Sequence, residues 1–336
     1  AYSATGGSSI NGSLVTDNAR DYSCSYGYDL NGNVTALSRK SVDASARVFD
    51  YTCCTFGTTD DLSLRYNGNQ LKEVTDQCED LTYEGAMEFS DGANRSDEYA
   101  YDANGNMTQD KNKGIHSIAY NSLNLPQVVL FNDGHETRYT YAANGRKLRV
   151  EYLLTNARFA DDLVAVPADD APMPMSLGGG AVAPLDSAAF APIDSAHAEP
   201  AEVTLMTLDY CGNHIYRNGR LERTLTDVGY IDTIDSHYFV KDYRGDIRTV
   251  VDEDGTLEEA NSYYPYGMLH GTSAIASSQP YKYTGKELDR ENGIDWHDFH
   301  ARHYMPALGR TPTPDPKSES YYGTTPYLWC GGNPIR

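Results

Sequence analysis

One short pattern recurs along this chain and constrains it more than any other feature. A tyrosine precedes an Asn/Gly turn, and an aliphatic residue follows. It reads Tyr28-Asp29-Leu30-Asn31-Gly32-Asn33-Val34, then Tyr101-Asp102-Ala103-Asn104-Gly105-Asn106-Met107, then Tyr141-Ala142-Ala143-Asn144-Gly145-Arg146-Lys147-Leu148. Shorter forms are Tyr66-Asn67-Gly68-Asn69-Gln70-Leu71 and Tyr216-Arg217-Asn218-Gly219-Arg220-Leu221. Within these repeats the Asn-Gly pairs start at 31, 67, 104, 144 and 218. Spacing of this kind marks a repeat architecture.

Each repeat reads as a hairpin. A two-residue loop at Asn144-Gly145 sets Tyr141 opposite Leu148, Tyr139 opposite Val150 and Thr137 opposite Tyr152, all on one face. In the 101–107 repeat a three-residue loop keeps tyrosine opposite an aliphatic residue. Its last residue then needs positive φ, and that residue is Gly105. The same construction ends on Gly32 between Tyr28 and Val34, and on Gly255 between Val251 and Leu257. The short forms centre on Gly68-Asn69 and Asn218-Gly219. The turn glycines are thus Gly32, Gly68, Gly105, Gly145, Gly219 and Gly255, and a series of antiparallel hairpins is expected.

Composition agrees. Tyr occurs 27 times against 8 Phe and 2 Trp, and its ring with a polar tip suits a half-buried sheet. With 29 Gly and 15 Pro, turns are frequent. The expected class is all-β, in a continuous curved antiparallel sheet. The net charge of −21 argues against a nucleic-acid partner, and no apolar run is long enough to span a bilayer as a helix. A chain opening on Ala1 is expected to be a processed or excised piece. The cysteines at 24, 53, 54, 78, 211 and 330 form no CxxC pair, so a zinc ribbon is not expected and their disulfide state stays open.

Residues 160–203 break the pattern. They are rich in Ala, Pro, Asp and Gly and contain no Lys or Arg, as in a flexible acidic loop or linker. Gly178-Gly179-Gly180 lacks the Lys-Ser/Thr of a phosphate loop. The chain therefore divides into hairpins over 1–159, this loop over 160–203, further hairpins over 204–237 and a denser segment over 238–336.

That last segment contains Tyr238-Phe239-Val240-Lys241-Asp242-Tyr243-Arg244-Gly245-Asp246, Tyr283-Thr284-Gly285-Lys286-Glu287-Leu288-Asp289, Ala301-Arg302-His303-Tyr304-Met305-Pro306-Ala307-Leu308-Gly309-Arg310, Asp315-Pro316 and Asn333-Pro334. It resembles the Rhs repeat-associated core domain, and the upstream hairpins resemble YD repeats. Bacterial Rhs toxins, insecticidal toxin-complex C components and animal teneurins make up this group. The resemblance implies a sheet spiralling around a hollow shell, a core that curls inward as a plug, and a variable toxin or cargo domain held inside. It marks Gly285, Glu287, Arg302, Tyr304, Pro306, Gly309, Arg310, Asp315, Pro316, Asn333 and Pro334 as core-motif positions.

Some cores of this family cleave their own chain with two Asp-Pro-x-Gly aspartates. Here Asp315-Pro316 matches the first, but Lys317-Ser318 follows, and Met305 stands where Asp is usual before Pro306. The second motif would fall beyond Arg336. An aspartic dyad needs two carboxylates sharing a site, so Asp315 alone is not expected to act.

Other candidates have simpler readings. His297, His300 and His303 would share a face on a helix, but on a strand His300 points away, so no metal is expected. Asp252-Glu253-Asp254-Gly255 resembles part of a calcium loop and is already needed as a hairpin turn. No nucleophile elbow accompanies the serines. Trp296, Phe299 and Tyr304 are expected to anchor packing, and Arg302 and Arg310 to pair carboxylates or stack on rings.

The expected function is mechanical, with no cofactor and no turnover. The chain would be part of the shell and plug of an exported, secreted or cell-surface bacterial Rhs-type toxin, its partner being its own cargo domain. The alternatives are a module binding a surface glycan or target-cell protein, and an aspartyl autoprotease.

Overall fold

The computed structural model describes residues 5–10, 13–42, 56–78, 87–93, 95–154, 203–270 and 279–334. Described residues form an all-β, antiparallel architecture that does not close on itself. A two-stranded ribbon holds β1 (Thr5–Ile10) and β2 (Ser13–Asp21). A four-stranded sheet holds β3 (Cys24–Tyr28), β4 (Val34–Val42), β5 (Phe56–Asn67) and β6 (Gln70–Asp76). A thirteen-stranded sheet starts with β7 (Tyr99–Tyr101), β8 (Met107–Asp110), β9 (Ile115–Tyr120), β10 (Pro126–Phe131), β11 (His135–Tyr141), β12 (Lys147–Leu154) and β13 (Val203–Cys211). It continues through β14 (His214–Arg217), β15 (Arg220–Thr226), β16 (Gly229–Ile231), β17 (Ser236–Lys241), β18 (Ile247–Val251) and β19 (Leu257–Ala260). A small sheet of β20 (Leu288–Asp289), β21 (Trp296–Asp298) and β22 (His303–Tyr304) follows.

Within each sheet every strand pairs with its neighbour in sequence. The four- and thirteen-stranded sheets meet at β6 and β7. The Glu98 amide donates to the Lys72 carbonyl at 2.8 Å, and the Glu98 carboxylate accepts from the Val74 amide at 2.8 Å. The predicted loop at 160–203 lies outside the described residues except for Val203. The strands on either side of it pair directly, Leu154 opposite Val203.

Where an aspartate opens the loop, at Asp29, Asp102 and Asp252, it closes the turn. Asp102 Oδ1 accepts the amides of Asn104 at 2.9 Å and Asn106 at 2.8 Å. Asp29 does the same for Asn31 and Asn33, and Asp252 for Asp254 and Thr256. This is an Asx turn joined to a β-turn, and it explains the Tyr-Asp pair better than strand propensity does. Gly105, at φ +83°, takes the left-handed position that the loop requires. Neighbouring turns are tied by asparagines, Asn33 Nδ2 to Asn69 Oδ1 at 3.0 Å and Asn106 Nδ2 to Asn124 Oδ1 at 2.9 Å.

One register departs from expectation. Tyr139 faces Val150 and Thr137 faces Tyr152, but Tyr141 pairs with Lys147, not Leu148. The loop is Ala143-Asn144-Gly145, closed by the Ala142 amide on the Arg146 carbonyl at 2.8 Å. The register shifts between Thr140 and Tyr141. This bulge turns Lys147 onto the buried face in place of Leu148.

The buried face of the sheets and the segment after β19 share one apolar core. Leu37, Leu71, Met107, Val129, Tyr139 and Val150 from the hairpins join Tyr264, Met268, Tyr283, Trp296, Tyr304 and Leu308 from that segment. A second, smaller cluster of Tyr230, Ile247 and Val250 lies between β16 and β18. Among the described residues no helix is long and apolar enough to cross a membrane.

Candidate functional site

Residues 261–270 and 279–334 run back over the buried face and are fastened to it at several points. Tyr264 donates its hydroxyl to the Lys40 carbonyl at 2.5 Å, and the Tyr266 and Tyr28 hydroxyls meet at 2.9 Å. The Thr325 amide donates to the Asn31 carbonyl at 2.7 Å, and the Met107 amide to the Pro312 carbonyl at 2.9 Å. Tyr327 donates to the Gly105 carbonyl at 2.6 Å.

Other ties are buried and charged. Lys147 Nζ lies 2.8 Å from Glu287 Oε2 and 3.0 Å from Asp298 Oδ2, with little of any of the three exposed. Glu287 also accepts the Tyr210 hydroxyl. Burial opposes the Lys147 charge, but Glu287, Tyr210 and Asp298 outweigh it and hold the ammonium well above its ordinary range. Burial likewise works against the Asp298 carboxylate, and Lys147 overrides it, so its pKa lies below the usual range.

Asp289, beside this group, accepts the hydroxyls of Tyr139 at 2.7 Å and Tyr152 at 3.1 Å. Burial pushes its pKa up to about 6, against the pull of Tyr139 and Lys147. His297 and His303 are buried nearby, and desolvation depresses them to about 3 and about 4. His300 is exposed, so the three histidines do not converge. Among the described residues no group of His, Cys, Asp or Glu is arranged to hold a metal ion.

A second fastening is cationic. Arg310 is buried, with its guanidinium 5.1 Å from the Tyr66 ring centroid and 4.7 Å from that of Tyr327. It donates to the Asn69 carbonyl at 3.0 Å. Two tyrosine faces and a carbonyl thus receive the charge.

The remaining core-motif residues occupy varied places. Gly285 and Gly309 have positive φ, and Gly309 packs against the Tyr266 ring. Tyr304 is fully buried and donates to the Tyr266 carbonyl at 2.7 Å. Pro306 lines a cavity of about 400 Å³. Pro316 and Asn333 are exposed, whereas Pro334 is buried and its carbonyl accepts Arg244 at 2.7 Å. Asp315 spends one oxygen on Arg302 at 2.7 Å and the other on the Lys317 amide at 2.7 Å. Cys24, Cys78, Cys211 and Cys330 are free thiols, and Cys53 and Cys54 lie outside the described residues.

Lys147, Asp289 and Asp298 were not singled out by the sequence pattern. The tyrosine stripe through Tyr139 and Tyr152 was the nearest signal, since those hydroxyls need buried partners.

No family profile matches the chain. Salivary gland surface protein 1 of Aedes aegypti is 35% identical over 97 residues, which is 28% of this chain and 3% of that protein. The solved complex TcdB2-TccC3 superposes with a TM-score of 0.51 at 16% identity, covering 93% of this chain. The complex TcdB2-TccC3-Cdc42 gives 0.51 at 15% identity, covering 94%. This chain spans 15% and 16% of the length of those two chains. The chain's fold is therefore similar to part of the fold of these structures.

Proposed function

We propose that this chain is a non-catalytic wall-and-plug piece of an exported bacterial Rhs-type toxin, enclosing or presenting a cargo domain that follows it. The observation that carries the reading is the fastening of residues 279–334 to the buried face of the sheet through Lys147, Asp289 and Arg310. Such ties suit a part that must stay seated, and tyrosines with buried carboxylates hold position without a reacting group. The fold shared with the TcdB2-TccC3 complexes supports a wall role, and the unclosed sheet suits a part of a larger wall. The division at 160–203 and near 238 belongs to this reading, with the plug following the repeats.

A protease-sensitive tag joined after Arg336 in the longest polypeptide that carries this sequence tests it. A container protects the tag at least about tenfold over the free peptide, and cutting at the free rate refutes enclosure. One observation favours a second reading, a surface-binding module. Leu30, Tyr321 and Tyr322 stand exposed at 102%, 65% and 90%, and the Thr325–Asn31 bond brings their two turns together. A glycan array and a cell-binding assay separate the two, since a pure container binds neither.

A further inference from the structure

His237 on β17 stacks on Tyr230 of β16, ring centroids 4.3 Å apart and planes 13° from parallel. The strands come this close because residue 229 is glycine. A Cβ there would stand 1.8 Å from the His237 carbonyl oxygen. Both ring nitrogens face carboxylates: Nδ1 is 2.6 Å from Glu258 Oε2, and Nε2 is 3.2 Å from Asp232 Oδ2.

The two carboxylates come from different places. Glu258 lies on β19, the last strand of the thirteen-stranded sheet, and Asp232 opens the turn between β16 and β17. The imidazole therefore reaches past β18 to join the sheet edge to that turn. A neutral imidazole donates from one nitrogen only, and the other would turn a lone pair toward a carboxylate. Two carboxylate partners thus call for two ring protons.

We infer that Asp232, His237 and Glu258 form a proton-operated clasp joining the last strand of the sheet to the 232–235 turn. With two ring protons both ends hold. When one leaves, the shorter contact keeps its hydrogen at Nδ1, and the Asp232 end opens. The same carboxylate holds the turn through Asp232 Oδ1, which accepts the amides of Ile234 and Asp235, so release of its other oxygen from the ring loosens those bonds as well. The groups facing the ring are Asp232 from the turn, Glu258 from β19 and Tyr230 from β16, with Arg223 of β15 5.2 Å over the Tyr230 ring. Burial opposes the ring's charge, and Glu258 and Asp232 outweigh it, raising its pKa above the ordinary 6.5.

Histidine-selective ¹⁵N NMR on the intact chain tests the clasp. The His237 ring should be doubly protonated at about pH 6.5, with a midpoint above that value, each unit of excess being a tenfold gain in imidazolium. Above the midpoint it should show the Nδ1–H tautomer. Amide exchange at 232–236, corrected for intrinsic rates, should quicken severalfold across the same midpoint, and Glu258→Ala should lower the midpoint. A wild-type midpoint at or below 6.5, the Nε2–H tautomer at high pH, or exchange indifferent to the titration would each overturn the proposal, even if the variant fails to fold.

Discussion

Replacing Lys147 with alanine should unseat the C-terminal segment from the sheet. The ammonium is the shared partner of Glu287 and Asp298, at 2.8 and 3.0 Å, and side-chain exposures of 7%, 14% and 9% leave little water to replace it. Breaking a buried ion pair from one side costs about 3–5 kcal/mol, because the stranded charge stays desolvated. The contact with the Tyr210 ring, 4.7 Å away, is lost as well. At about 2.1 cal/mol/K of unfolding entropy per residue, a chain of this size loses about 1.4 °C per kcal/mol, so melting should fall by about 4–7 °C. Thermal melts followed by circular dichroism, with limited proteolysis mapped by mass spectrometry, give the readout. New cuts should gather in 283–305 before the hairpins are attacked. The triple variant Lys147→Met, Glu287→Gln, Asp298→Asn should recover most of the loss, since it removes the charges together. A drop under about 2 °C for Lys147→Ala, or a triple variant no better than the single, would refute the reasoning.

Other consequences follow from the same packing. His270, His297 and His303 are depressed by burial to about 3, about 3 and about 4, so the stability they contribute is present above 6.5 and lost as pH falls below it. Asp110 and Asp289, raised to about 6, act oppositely and recover stability on the same descent. From pH 7 to pH 5 these histidines cost about 2 kcal/mol each and these two carboxylates return about 1 each, and the raised His237, Asp76, Glu98 and Asp246 offset more, so stability from urea melts should fall by at most about 4 kcal/mol; a midpoint that rises on acidification contradicts this. Gly267→Ala should destabilise by about 3 kcal/mol or more, since its Cβ would stand 2.4 Å from the Tyr283 ring at φ +86°. Gly255→Ala, at φ +82° in open space, should cost only about 1–2 kcal/mol by chemical denaturation, and equal losses would show that packing is not the cause. Purified chain should keep its mass over days, and Asp315→Asn should change nothing; a fragment that vanishes in the variant would restore the autoprotease.

The hairpins were legible because their signals are local. Tyrosine, aspartate and glycine sit within one turn of each other, and the Asx bonds need no distant partner. Tyr101 opposite Met107 and Tyr28 opposite Val34 follow from loop length and the glycine position alone. The Lys147 register was missed because a bulge moves one residue, and Asn-Gly suits a two-residue and a three-residue loop alike. Hydrophobicity alone points Leu148 inward. The structure prefers Lys147, whose carboxylate partners lie 140 and 151 positions away. Asp289 was hidden for the same reason, because nothing near it in sequence shows that two tyrosine hydroxyls await it. The histidines at 297, 300 and 303 show the converse, a sharp local spacing with a bland outcome, since two are buried among rings and one faces solvent.

A zero-length carbodiimide cross-link tests most directly whether the C-terminal segment lies on the sheet. Lys113 Nζ is 3.8 Å from Asp295 Oδ2, and each side chain is 21% exposed, so reagent can reach the pair. Digestion and mass spectrometry should recover a peptide joining residues 113 and 295. If Lys113 couples only to carboxylates near it in sequence and never to Asp295, the seated segment described above is contradicted.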